Sequence, residues 1–236
     1  MRLSEDELAG VVDTFGGLTR EELRRAVEEV AFRAGEDVDA GTVQEWVDDA
    51  TEAYHIVAYD DEHGVFAARF LVTALLYGHE KFHLLDGDFS AWNRRHETTS
   101  ESPAVEPSTY DVREPASSPL VDFETVRDAL DTDAVIVDTR EAWEYEEGHL
   151  PGAVQLDWRE LVDAETRGLK PEAKLEALLT DRGITPDRRI VLYCNTARRI
   201  SHTYVVLRHL GYEDLAFYEG SLTEWEAAGR DLETGP

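Results

Sequence analysis

Residues 134–156, AVIVDTREAWEYEEGHLPGAVQL, hold the pattern that decides the fold. A β-rich apolar run, AVIVD, is followed by a helical turn and then by a second short apolar run, AVQL, beyond a Pro-Gly turn. The alternation continues outward on both sides. Upstream, DFETVRDAL reads as a helix. Downstream come helices between Trp158 and Leu179, the strand RIVLY, a long helix to Leu210, the strand LAFY and a terminal helix. Short apolar strands separated by helices predict an α/β fold with a parallel sheet and helices on both faces. Ligands of such folds sit beyond the carboxyl ends of the strands.

The one cysteine of the chain, Cys194, stands one residue past such an end, in YCNTARRIS (193–201). The loop must curl and enter a helix near Arg199, and backbone N–H groups of a turn entering a helix converge on an anion site. A thiol there is favoured as thiolate by the helix N-terminus and by Arg198 or Arg199, and is nucleophilic at neutral pH. A buried structural cysteine is the competing reading, since free cysteines are among the most buried residues. Spacing separates the two. Arg199 lies at +5 from Cys194, whereas the cysteine phosphatases place arginine at +6, where this chain has Ile200. The tighter loop suits a smaller group, the terminal sulfur of a persulfide.

Here the chain resembles the rhodanese family of sulfurtransferases. VDTREAWEYEEGHLPGAVQL (137–156) is similar to the family's long signature, VLYCNTARRIS to its catalytic strand and loop, and LGYEDLAFYEGSLTEW to its closing strand and helix. The LETGP ending resembles the tail of tandem rhodaneses. The resemblance implies a rhodanese-like fold over residues 120–236, with Cys194 as the sulfur-accepting nucleophile and Asn195, Thr196, Ala197, Arg198 and Arg199 as a cradle for the persulfide. It implies that Arg140 meets the anionic donor, that Asp138 orients the network, and that Glu144 and His149 support it, His149 by bonding backbone near the LPGA turn. The implied reaction is a double displacement from thiosulfate to cyanide or a thiol, with no metal or cofactor. One departure stands out: many family loops carry glycine at +3, where this chain has Ala197, and a left-handed backbone there costs alanine about 1 kcal/mol.

The chain also contains a repeat. Residues 56–92 (IVAYDDEHGVFAARFLVTALLYGHEKFHLLDGDFSAW) align with residues 190–225, matching Tyr59 to Tyr193, Gly78 to Gly211, Gly87 to Gly220 and Trp92 to Trp225. The first copy has one extra loop residue, and Asp60 stands where Cys194 stands. No D-x-R or G-H-L-P-G-A precedes it, so residues 54–94 read as an incomplete, inactive rhodanese-like half-repeat. The whole resembles a haloarchaeal tandem-domain sulfurtransferase with a truncated first domain. Half a parallel sheet leaves unpaired edges and an uncovered apolar face. The N-terminal helices can cover it; or it packs against the active domain or, by self-association, against a second copy; or the chain is a fusion or truncation, the history favoured here.

Residues 1–53 read as three acidic helices of unassigned role, two of them opened by capping boxes (Ser4 with Glu7, Thr19 with Glu22). Residues 95–119, with four of the eight prolines, read as a linker. Acidic residues outnumber basic ones 51 to 23, a net charge of −28, and there are three lysines, Lys81, Lys170 and Lys174. Acid spread along the whole chain fits a halophilic protein whose self-repulsion is screened at high ionic strength. It disfavours nucleic-acid binding, which needs a basic stripe. No long apolar run or signal core is present and one cysteine makes no internal disulfide, so a cytoplasmic protein without membrane contact is expected. Three alternatives stay open: a mercaptopyruvate donor, a persulfide carrier of low turnover, and, disfavoured by the loop length, a dual-specificity phosphatase.

Overall fold

The computed structural model describes residues 56–79, 81–101, 115 and 117–236. All of them but Ile56 belong to one compact unit. The helices expected within residues 1–53, and most of the linker at 95–119, lie outside the described residues. The elements are β1 (Ile56–Ala58), α1 (Val65–Leu76), β2 (Phe82–Leu84), α2 (Asp88–Asn93), α3 (Phe123–Ala129), β3 (Val135–Asp138), α4 (Ala142–Glu147) and β4 (Val154–Gln155). A 3₁₀ turn (Trp158–Leu161) precedes α5 (Glu172–Thr180), β5 (Ile190–Tyr193), α6 (Arg198–His209), β6 (Leu215–Phe217) and α7 (Ser221–Ala227). Among the described residues no helix is long and apolar enough to cross a membrane.

Four strands form a parallel sheet in the order β4-β3-β5-β6. The two central strands are buried along their whole length, as the apolar runs Val135–Val137 and Ile190–Tyr193 require, with Asp138 buried at the end of β3. Successive side chains point to opposite faces. Val135, Val137, Ile190 and Leu192 therefore meet Leu175, Leu179, Ile200 and Leu207 on one side. Ile136, Val191 and Tyr193 meet Val126 and Trp225 on the other. The carboxyl ends of β3 and β5 lie side by side, with Asp138 in register with Tyr193. That register brings the DTR turn next to the cysteine loop.

The order β1-α1-β2-α2 repeats β5-α6-β6-α7. Both long helices end at a glycine of left-handed conformation, Gly78 (φ 77°) and Gly211 (φ 85°), which satisfies the helix end without a Cβ clash. The half-repeat covers one side of its apolar surface and leaves Val57, Tyr59, Phe66, Phe70, Tyr77 and Trp92 exposed. Val72 is fully buried, and with Leu75 it joins the same cluster as Leu192, Tyr204 and Leu207. Each such side chain contributes roughly 1.5–3 kcal/mol on burial. Ion pairs reinforce the contact: Arg167 holds the buried Asp88 at 2.7 Å, and Arg69 pairs with Glu219. The half-repeat is thus packed on the segment from 120 onward, chiefly through α1 against α6.

Candidate active site

Cys194 follows β5 directly and is fully buried. Its backbone is fixed from the start of α7. The Cys194 N–H donates to Ser221 Oγ (3.2 Å), the Ser221 hydroxyl donates to the Tyr218 carbonyl (2.9 Å), and the Cys194 carbonyl accepts from Leu222 N–H (3.1 Å). The thiol sulfur accepts from Thr196 N–H at 3.4 Å. The loop then turns into α6 through Ala197, whose φ of 61° and ψ of −13° are left-handed. The sequence had flagged this alanine, and the strained conformation is what the structure holds.

Arg199, in the first turn of α6, is gripped by Glu144 of α4. Arg199 Nη2 donates to Glu144 Oε1 (3.0 Å), Nη1 donates to Oε2, and Asn195 Nδ2 also donates to Oε1 (3.0 Å). Glu144 itself caps α4 by accepting from the Glu141 N–H. Burial pushes the Glu144 carboxyl up, but the Arg199 hydrogen bond and charge outweigh it and hold the carboxyl below its usual range. Burial likewise disfavours the Arg199 cation, and Glu144 reverses that.

Arg140, which the resemblance implies meets the anionic donor, is enclosed by protein groups. It is 3% exposed. Its Nε lies 3.0 Å from both Asp138 oxygens, its Nη2 donates to Asp138 Oδ2 (2.6 Å) and to the Gly148 carbonyl (2.6 Å), and its guanidinium lies 5.9 Å from the centre of the Tyr193 ring. The Asp138–Arg140 pair ties the end of β3 to the signature loop at Gly148. The physical reason is that a buried carboxylate and a buried guanidinium each need a partner. His149 donates from Nδ1 to the Tyr145 carbonyl (2.8 Å) and stacks on that ring, while its backbone pairs with Glu233 of the C-terminal tail. Arg198 points elsewhere again, over Phe66 of α1, 5.1 Å from the ring centre.

Of the residues singled out in the sequence, Cys194, Asn195, Thr196, Ala197, Arg199 and Glu144 therefore form one cluster. Asp138 with Arg140, His149, and Arg198 occupy three neighbouring positions. Sequence reasoning missed Ser221 and Phe66. Ser221 carried a signal, the S-x-x-E spacing to Glu224 at a helix start. Phe66 carried none, because its meeting with Arg198 is purely tertiary. Among the described residues no group of His, Cys, Asp and Glu could hold a metal ion.

Residues 122–228 match the rhodanese-like domain family, and residues 6–76 match a family of unknown function (DUF7109). A thiosulfate sulfurtransferase of Azotobacter vinelandii is 34% identical over 191 residues, 74% of this chain and 67% of that protein. The chain is a member of the rhodanese-like sulfurtransferase family. A thiosulfate sulfurtransferase of Pseudomonas aeruginosa is 32% identical over 192 residues, 74% of this chain and 67% of that protein. A Haloferax volcanii protein, named for the same activity in provisional form, is 30% identical over 76% of this chain and 69% of its own length. An anaerobic ergothioneine biosynthesis enzyme from Chlorobium limicola shares the fold, with a TM-score of 0.68 at 20% identity. That likeness covers 80% of this rhodanese-like chain and 54% of the enzyme, so the chain spans about half the length of that solved structure.

Proposed function

We propose that this sulfurtransferase moves sulfane sulfur from thiosulfate to a thiophilic acceptor through a persulfide on Cys194. The observation that carries the proposal is the loop itself. A cysteine sits at the carboxyl end of a central strand with a backbone N–H on its sulfur, and an arginine five residues on is locked by Glu144. The Cys194 thiolate attacks the outer sulfur of thiosulfate. The S–S bond of the donor breaks, its electron pair leaves with sulfite, and Cys194 keeps the outer sulfur as a persulfide anion. Attack of cyanide, or of a thiolate, on that terminal sulfur returns the Cys194 thiolate and releases thiocyanate or a new persulfide. Charge balances in both steps, and no redox partner is required.

The loop's amides favour an anionic terminal sulfur. Ser221 keeps the cysteine backbone from drifting, and Arg140 with Asp138 holds the neighbouring strand end. In this reading Arg140 is a positioning residue. The test is thiocyanate formation from thiosulfate and cyanide by wild type and Cys194→Ser, in about 2 M KCl and in dilute buffer, to include the screening of 51 acidic residues. Wild-type turnover that vanishes in Cys194→Ser is the expected result. Turnover retained by Cys194→Ser overturns the proposal. Labelling of Cys194 by sulfur without steady-state turnover replaces it with a carrier role.

A further inference from the structure

We propose that His202 makes the joint between the half-repeat and the rest of the fold sensitive to acid: as a neutral ring it seals the joint, and on taking up a proton it loosens α1 and the Asp60 loop from α6. His202 stands on α6, one turn beyond Arg198, and is 1% exposed. α6 is the helix on which α1 packs. The His202 ring meets that of Trp158 edge to face, with centres 5.2 Å apart. Its Nδ1 is buried and has no hydrogen-bond partner among the described residues. A buried polar atom without a partner is uncommon and costs stability, and the sulfur chemistry makes no use of this one.

A proton on that ring finds no free counter-ion. The titratable groups that face it from the half-repeat are Asp60 and His63. The Asp60 carboxylate is already bound by the N–H groups of Glu62, Gly64, Phe66 and Ala67. His63 is itself basic, and its Nδ1 lies 3.6 Å from Asp88, whose carboxylate Arg167 holds at 2.7 Å. The charged residues of the 3₁₀ turn are engaged elsewhere, Arg159 by Asp157 and Glu141, and Glu160 by Arg182. On α6 itself, Arg198 and Arg199 are cations. Charging a buried group in such surroundings is costly. Burial pushes the His202 imidazole down to about 4; the Asp60 charge works against that, the His63 ring with it, and the His63 backbone against it. The joint therefore keeps its full stability above the ordinary histidine value, 6.5, and loses it as the pH falls toward 4.

The test is hydrogen–deuterium exchange of the full chain at about pH 7.5 and about pH 5 in one high KCl concentration, read by mass spectrometry with intrinsic exchange rates divided out. His202→Phe keeps a ring against Trp158, His202→Gln keeps an N–H donor, and neither titrates in this range. Opening the joint frees His202 to take up its proton. Between the two pH values, wild type is expected to lose protection over residues 62–76 about 30-fold more than either variant. At the lower pH those residues are expected to exchange before β5 does. Wild-type protection that does not fall overturns the proposal, and that result needs no variant to fold. An equal fall in the variants assigns the response to another group and overturns it too. So does loss at one common rate over residues 62–76 and β5, which would place the acid response in the whole fold and not in the joint.

Discussion

Two loops of the same design stand in contact-sharing repeats, and they handle negative charge in opposite ways. In the first, residues 60–67, the carboxylate of Asp60 accepts from four backbone N–H groups, those of Glu62, Gly64, Phe66 and Ala67, at 2.7–2.9 Å. In the second, the Cys194 sulfur occupies the corresponding place and accepts from Thr196 at 3.4 Å. The surroundings are otherwise repeated. The Asp60 carbonyl accepts from Phe89 N–H (2.8 Å) as the Cys194 carbonyl accepts from Leu222 N–H. Asp88 and Ser221, which follow the matched glycines, both have positive φ and both bond backbone N–H groups of their own loop. The first loop is filled by an anion of its own. The second takes its carboxylate from outside, from Glu144, which locks Arg199 and leaves the cradle for an incoming group. Position of one carboxylate, inside the cradle or beside it, separates the Asp60 loop from the loop proposed to carry the persulfide.

Removing the inner carboxylate breaks the comparison most severely. Asp60→Ala leaves four N–H groups at the start of α1 without their acceptor, and α1 is the helix that packs on α6. The expected loss is about 3 kcal/mol, from charged hydrogen bonds at a helix N-terminus. Urea unfolding at fixed high salt measures it. Asp60→Asn keeps one acceptor oxygen and recovers part of the loss. If Asp60→Ala unfolds at the wild-type midpoint, the filled cradle is not what holds the half-repeat in shape.

Removing the outer carboxylate sharpens it. Glu144→Gln keeps the side-chain shape and removes the charge that faces Arg199, with an expected cost of about 2 kcal/mol at neutral pH. The sign of its pH dependence follows from the lowered carboxyl of Glu144. A group whose folded pKa is depressed contributes stability above its unfolded value, near 4.5, and loses it as pH falls through the folded value. The difference in unfolding free energy between wild type and Glu144→Gln is therefore full above pH 4.5 and shrinks at more acid pH. A constant difference across that range would mean that the pair acts through packing and not through charge.

Much of this was legible in the residues. Unbroken apolar runs at 134–137 and 190–193 could become only buried parallel strands, and Cys194 one residue past the second run placed it at the ligand-binding end. The repeat was legible because Gly78 and Gly211, like Asp60 and Cys194, occupy positions fixed by backbone geometry. What could not be read was partnership across the fold. Arg140, Arg198 and Arg199 look equivalent in a sequence, each a cation near an active loop. They differ because Asp138, the last residue of β3, pairs with Arg140 two residues on, Glu144 faces Arg199 from a separate helix, and Phe66 meets Arg198 from the other repeat. The last two pairings depend on tertiary packing, and no local pattern encodes them.

The smallest test concerns the residue at which the two helices begin. Each N-cap is left-handed: Gly64 at φ 87° before α1, Ala197 at φ 61° before α6. Glycine adopts this conformation at no steric cost, and alanine does so at about 1 kcal/mol. Ala197→Gly therefore relieves strain, but it also removes a buried methyl from the main core and widens the unfolded ensemble. The conformational gain is offset by these two losses, so the expected result is a change of about 0.5 kcal/mol or less, read from paired urea curves. The more informative reading is kinetic. If strain at Ala197 holds the loop amides in one arrangement around the sulfur, Ala197→Gly lowers kcat severalfold while the melting temperature stays level or rises. Equal kcat in the two proteins would show that Glu144 and Ser221 already hold the loop, and that the alanine is tolerated rather than used.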